Sequence, residues 1–141
     1  MKKKQLFRIL NFAERDEVIN FGKRLESLYD VATLKKPQKT LCLLKVRESA
    51  RNSLFYAGES LTCECIVALE GKNGFAAALG DDLEKVYAMA IIDAAMNSDI
   101  PEKEALSTLL LKWDNTIQKK HATDAKVVMS TKVNFSVMEE D

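Results

Sequence analysis

Apolar residues at Leu6, Phe7, Ile9 and Leu10, then at Val18, Ile19, Phe21, Leu25 and Leu28, recur at intervals of three and four, the period of an amphipathic helix. The polar run Glu14-Arg15-Asp16-Glu17 divides them, which predicts two helices with Asp16 capping the second. Lys35-Lys36-Pro37-Gln38-Lys39 then predicts a solvated turn. From Thr40 the period changes. Leu41-Cys42-Leu43-Leu44-Lys45-Val46 is too short and apolar for a surface helix and predicts a strand, and Leu54-Phe55-Tyr56-Ala57-Gly58 predicts a short one broken at Gly58. Leu61, Cys63, Cys65, Val67 and Leu69 alternate with Thr62, Glu64, Ile66, Ala68 and Glu70, the clearest strand in the chain. Gly71-Lys72-Asn73-Gly74 supplies turn chemistry, so Phe75-Ala76-Ala77-Ala78-Leu79 returns antiparallel. Its three alanines imply the close approach of a helix or another chain.

Asp81 and Glu84 have capping-box spacing, and Leu83, Val86, Tyr87, Ala90, Ile91 and Ala94 form a stripe that predicts a helix to about Asn97. Pro101, Glu102 and Glu104 open another, with Leu106, Leu109, Leu110, Trp113 and Ile117 on one face. Neither Gly nor Pro marks its end. Lys132-Val133-Asn134-Phe135-Ser136-Val137-Met138 alternates and predicts a final strand that rejoins the sheet. The expected fold is α+β, an antiparallel hairpin or meander packed against helices, in a single domain over residues 1–141.

At 141 residues and 47% hydrophobic content the chain can bury a core without disulfide or metal staples. Its 21 basic and 21 acidic side chains balance, which removes the electrostatic reason to expect a nucleic-acid partner. No apolar run is long enough for a membrane span, and Lys2-Lys3-Lys4 leads into Phe7, Arg8, Asn11 and Glu14 rather than an apolar leader, so a cytoplasmic protein is expected. Three cysteines, an odd number, suit a reducing compartment. Near-zero net charge lowers colloidal repulsion, so a covering partner is expected and homo-oligomers of the isolated chain are compatible with it.

Candidate chemistry is sparse. Cys63 and Cys65 would sit on one strand face about 7 Å apart, but with one histidine and no second cysteine pair they read as core residues, as does Cys42. His121 follows Lys119-Lys120 and reads as a surface histidine near a helix carboxyl end. Gly80-Asp81-Asp82 has the form of an anion site at a helix start, yet its carboxylates would occupy the free N–H groups themselves. Asp93, between Ile92 and Ala94, is either a partly exposed helix residue or a carboxylate that takes a donor from a loop or partner. Phe55 and Tyr56, adjacent on a strand, point to opposite faces, so one is left outside the core beside Gly58 and Glu59. Phe55, Tyr56, Gly58, Glu59 and Asp93 are therefore the candidate partner-interface residues; catalytic, cofactor and metal residues are not expected.

The run Leu44-Lys45-Val46-Arg47-Glu48, then Phe55-Tyr56-Ala57-Gly58-Glu59-Ser60-Leu61-Thr62, Gly80-x-Asp82 and Ala90-Ile91-Ile92-Asp93-Ala94-Ala95, resembles PhnG, the G subunit of the carbon–phosphorus lyase core complex. Gln5-Leu6-Phe7-Arg8-Ile9-Leu10 and Val133-Asn134-Phe135-Ser136-Val137-Met138 resemble the family's two ends, so the likeness covers nearly the whole chain. It departs from the family at Asp81, at Tyr87 and in its Glu139-Glu140-Asp141 ending. The resemblance implies a subunit associated with PhnH, PhnI and PhnJ. It also implies a supporting part in joining a phosphonate to the ribose of ATP with release of adenine, the α-D-ribose 1-methylphosphonate 5-triphosphate synthase step. ATP is then the complex's substrate, no cofactor is bound by this chain, and no activity is expected from it alone. A stand-alone regulatory or structural interaction module is the alternative.

Overall fold

The computed structural model describes the backbone at residues 2–47, 50 and 53–140, with side chains there except at 44, 46, 55–57 and 127–140. The elements run α1 (Lys3–Phe12), α2 (Arg15–Leu28), β1 (Val31–Arg47), β2 (Leu54–Leu69), β3 (Lys72–Leu79), α3 (Leu83–Asn97) and α4 (Glu102–Glu140). The strands form an antiparallel sheet in the order β1-β2-β3. Helix α3 packs on the sheet, α2 packs on α3, and α4 packs on α1 and α3. This is the expected α+β architecture.

Helix α3 is the centre of the molecule. It buries residues from Val86 through Ala95 on nearly every side, as a helix does when sheet and helices enclose it. The alternation of β2 is realised: Cys63, Cys65, Val67 and Leu69 are fully buried beneath α3. Of the small residues of β3, Gly74 and Ala76 are buried at the same contact and Ala77 is exposed. A Cβ added to Gly74 would lie 2.2 Å from the Ala90 carbonyl oxygen and 2.4 Å from the Ala94 nitrogen, so β3 and α3 touch backbone to backbone.

Five local expectations are corrected. The Lys35–Lys39 turn is part of β1, an edge strand whose pairing with β2 skips at Leu34 and again at Lys36-Pro37, where a residue lacking an N–H leaves no ladder bond unmade. Gly58 does not end a strand. Leu44 pairs with Gly58 and Lys45 with Tyr56, so Ala57 is the extra residue of a bulge and β2 is continuous. Leu69 pairs with Lys72, so the hairpin turn is Glu70-Gly71, both at positive φ, and Asn73 and Gly74 belong to β3. Asp16 lies in the first turn of α2 and does not cap it; Glu14 is at the cap position without a side-chain bond. The segment 132–138 is helical: with neither Gly nor Pro after Pro101, α4 propagates through it to Glu140.

Helix α4 buries Leu106, Leu110, Trp113 and Ile117, while side chains from Gln118 to Lys126 are exposed. No helix among the described residues is long and apolar enough to cross a membrane.

Candidate functional site

The most unusual polar group is Asp93, buried in the middle of α3. Its Oδ2 accepts the backbone N–H of Phe75 at 2.9 Å and its Oδ1 accepts Lys3 Nζ at 2.6 Å. Lys3 Nζ also donates to Asn97 Oδ1 at 2.8 Å, and Asn97 Nδ2 donates to the Asn73 carbonyl at 2.8 Å. Asp93 and Asn97, one helical turn apart, thus cover the outer edge of β3 with side-chain bonds. The donor that a buried carboxylate requires comes from α1 of the same chain.

A second cluster fixes the start of α3. Asp82, not Asp81, is the N-cap, accepting the Lys85 N–H at 3.2 Å. Arg15 Nε reaches Asp82 Oδ2 at 2.6 Å, joining the first turn of α2 to that cap. Burial pushes the Asp82 carboxyl up, but Arg15 and the Lys85 N–H outweigh it and hold it below the ordinary aspartate range. Lys85 Nζ donates to the carbonyls of Asn11 and Ala13, capping α1, and burial lowers its ammonium. Sequence reasoning overlooked Arg8, whose guanidinium meets buried Asp114 at 2.8 Å and ties α1 to α4. Asp114 follows Trp113 on the buried stripe of α4, a visible signal, but its partner lies far away in the chain.

Cys63 and Cys65 are buried in the core, where burial raises the Cys63 thiol and pushes Cys65 up to about 11, so neither is a ready thiolate. Cys42 is exposed rather than in the core, because alternation along β1 turns it to the sheet face opposite the one that α3 covers. His121 stands within α4, not at its end, exposed and edge-on to Phe12 at 5.0 Å between ring centroids. No group of three or more His, Cys, Asp or Glu among the described residues could hold a metal ion. An open groove of about 730 Å³ separates Phe7 and Phe12 of α1 from Ala77 and Leu79 of β3. Of the charged residues on it, Arg8, Asp82 and Lys85 are engaged within the chain as described.

The expected interface residues are dispersed. Gly58 and Glu59 are exposed, Gly58 at the bulge with φ 155°. Phe55 and Tyr56 pair with Val46 and Lys45, and which of them faces outward lies outside the described side chains. Asp93 is buried on α3 with its bonds made inside the chain. The pairing of β2 with β3 ends at Thr62 and Leu79, while that of β1 with β2 continues to Arg47 and Leu54. Beyond Thr62 the sheet is therefore a two-stranded ribbon.

These features describe an α+β domain whose buried carboxylates, Asp93 and Asp114, are tied to basic side chains of the same chain and whose buried thiols belong to the core. The family model for the phosphonate metabolism protein PhnG matches residues 1–139, and the chain belongs to that family. No curated protein matches it significantly.

Proposed function

We propose that this chain acts in the cytoplasm as a non-catalytic subunit of the carbon–phosphorus lyase core complex, assembling with PhnH, PhnI and PhnJ. The step it supports joins a phosphonate to C1 of the ribose of ATP as adenine leaves, giving with methylphosphonate α-D-ribose 1-methylphosphonate 5-triphosphate. Membership of the phosphonate metabolism family supports the pathway. The observation that carries the subunit reading is that Asp93 and Asp114, the buried carboxylates among the described residues, are each held by a basic side chain of this chain. The Phe55–Glu59 segment of the ribbon is assigned to the contact with PhnI, where a glycine and a carboxylate beside aromatic residues suit an anchor.

Incubation of the purified chain with ATP, methylphosphonate and Mg²⁺ is expected to release no adenine. Added to the other subunits expressed without it, the chain is expected to restore release. Adenine formed by the chain alone, and lost on a substitution within it, overturns the reading; so does a complex that works equally well without it.

A further inference from the structure

The two edges of the sheet are built differently. β1, at one edge, carries Lys35, Lys36, Pro37 and Lys39, and its pairing with β2 skips there, features that keep a further strand from adding. β3, at the other, reads Phe75-Ala76-Ala77-Ala78-Leu79 along its second half, without a charge, a proline or a skip in register. Three bonds fix which way its backbone groups point. The Phe75 N–H leaves the sheet for Asp93 Oδ2 and the Asn73 carbonyl accepts Asn97 Nδ2, while the Gly80 N–H turns inward to the Leu61 carbonyl at 2.8 Å. Alternation then points the Phe75 carbonyl, the N–H and C=O of Ala77 and the Leu79 N–H outward. Asp93 and Asn97 thus cover the edge at Asn73 and Phe75, and the outward groups beyond them have no hydrogen bond among the described residues. These groups open onto the groove of about 730 Å³ whose other wall is α1. Helix α1 follows the edge: Lys3 meets Asp93, the Phe7 and Phe75 rings lie 6.3 Å apart, and the Asn11 carbonyl accepts Lys85 near the start of α3. Phe12 and Leu79, 60% and 75% exposed, stand on the two walls, and Lys4 is the charged residue of the groove without a partner among the described residues.

Resting on the subunit role above, we propose that an extended segment of a partner subunit adds to β3 as a new edge strand in the groove between β3 and α1, with apolar side chains against Phe7, Phe12 and Leu79 and an Asp or Glu against Lys4. The backbone calls for that occupant, because outward N–H and C=O groups alternating along a strand are met together by another extended backbone about 4.8 Å away. Lys4, next to Lys3 in the first turn of α1, places the acid at the Phe75 end of the groove. A second copy of this chain fits poorly: its matching edge is itself flanked by α1, and a two-fold pairing would drive the two helices together before the strands reached that spacing.

The test uses the chain co-expressed with the other core-complex subunits. Ala77→Pro removes an N–H that makes no bond to β2, so it is expected to melt with the parent chain while weakening association roughly tenfold or more. Lys4→Glu is expected to weaken association severalfold, and Leu111→Asp, at a leucine 56% exposed on α4, is the control and is expected to change it little. In hydrogen exchange the Ala77 and Leu79 amides are expected to exchange freely in the isolated chain and to slow roughly a hundredfold or more in the complex, as hydrogen-bonded strand amides do. A photo-crosslinking side chain placed at Leu79 is expected to capture an extended segment of another subunit that carries an Asp or Glu. Capture of a second copy of this chain, or of a helical segment, overturns the inference, as does undiminished association of a folded Ala77→Pro. Should Ala77→Pro melt below the parent, amide exchange in the unsubstituted complex decides. Failure of the unsubstituted chain to join the other subunits removes the proposed function and this inference together. Normal assembly in which the Ala77 and Leu79 amides do not slow removes the inference alone.

Discussion

Lys3 Nζ meets Asp93 Oδ1 at 2.6 Å across 90 residues of sequence, tying the first turn of α1 to the buried middle of α3. The bond does more than neutralise a charge. Because Asp93 also receives the Phe75 N–H and Asn97 covers the Asn73 carbonyl, α1, α3 and the outer edge of β3 are closed by one polar cluster. Apolar packing of Leu6, Ile9 and Leu10 holds α1 in place, and this cluster fixes its position along the sheet.

Removing the buried partner is expected to cost more than removing the exposed one. Asp93→Ala strands the Phe75 N–H and leaves Lys3 with Asn97 alone, at about 2 kcal/mol. Lys3 is 54% exposed and leaves Asp93 with the Phe75 bond, so solvent screening limits Lys3→Ala to about 1 kcal/mol. Denaturant unfolding of the two variants and their combination measures both losses and the coupling. A coupling of zero would show that the contact does not hold the helix.

Backbone contact between β3 and α3 leaves no room for a methyl group. Gly74→Ala places a Cβ against backbone atoms of Ala90 and Ala94, which cannot turn away as a side chain can. A loss of about 2 kcal/mol or more in thermal or chemical unfolding is expected. Gly71→Ala, where a Cβ meets nothing within 4 Å, is strained only through its φ of 75° and is expected to cost about 1 kcal/mol. Equal losses at the two sites would contradict the close crossing.

The three thiols are expected to separate by rate. Cys42 is exposed and should react with a disulfide reagent within the mixing time, while Cys63 and Cys65 wait for unfolding. Cys63→Ala removes a sulfur from a fully buried site and is expected to cost about 1 kcal/mol, with only one fast thiol still counted. Two fast thiols in the unsubstituted chain would place one of the pair at the surface.

What the sequence disclosed and withheld follows the range of the interaction. The alternation from Leu61 to Leu69 and the stripe of α3 are local periodicities, and both elements form as the pattern predicts. The Lys35–Lys39 segment misled because charge and proline signal a turn, yet an edge strand accepts both where its pairing skips. The tail misled in the opposite sense: Val133, Phe135 and Val137 alternate, but backbone propagation of an uninterrupted helix overrides a short pattern. Asp93 was visible as an acid in an apolar helix, whereas Lys3 as its partner was not, since only the tertiary fold brings α1 across β3. The exposure of Leu41, Leu43 and Leu61 was likewise not legible, because alternation identifies a face and not what covers it.

Acid should loosen the start of α3 in a defined pH window. The Asp82 carboxyl is held low in the fold by Arg15 and the Lys85 N–H, against the opposing effect of burial. Its folded value lies below the unfolded value of about 3.9, so its contribution is complete above that value and is lost as pH falls through the folded one. Asp82→Ala removes both the cap and the Arg15 contact, with an expected loss of about 1 kcal/mol at neutral pH. Below the folded value, where the parent chain has lost the charge as well, the gap between the two proteins should narrow. Unfolding midpoints of parent and variant, followed from pH 7 downward by roughly four units, measure this. A gap that stays constant over that range would mean that the Asp82 charge contributes nothing beyond its shape.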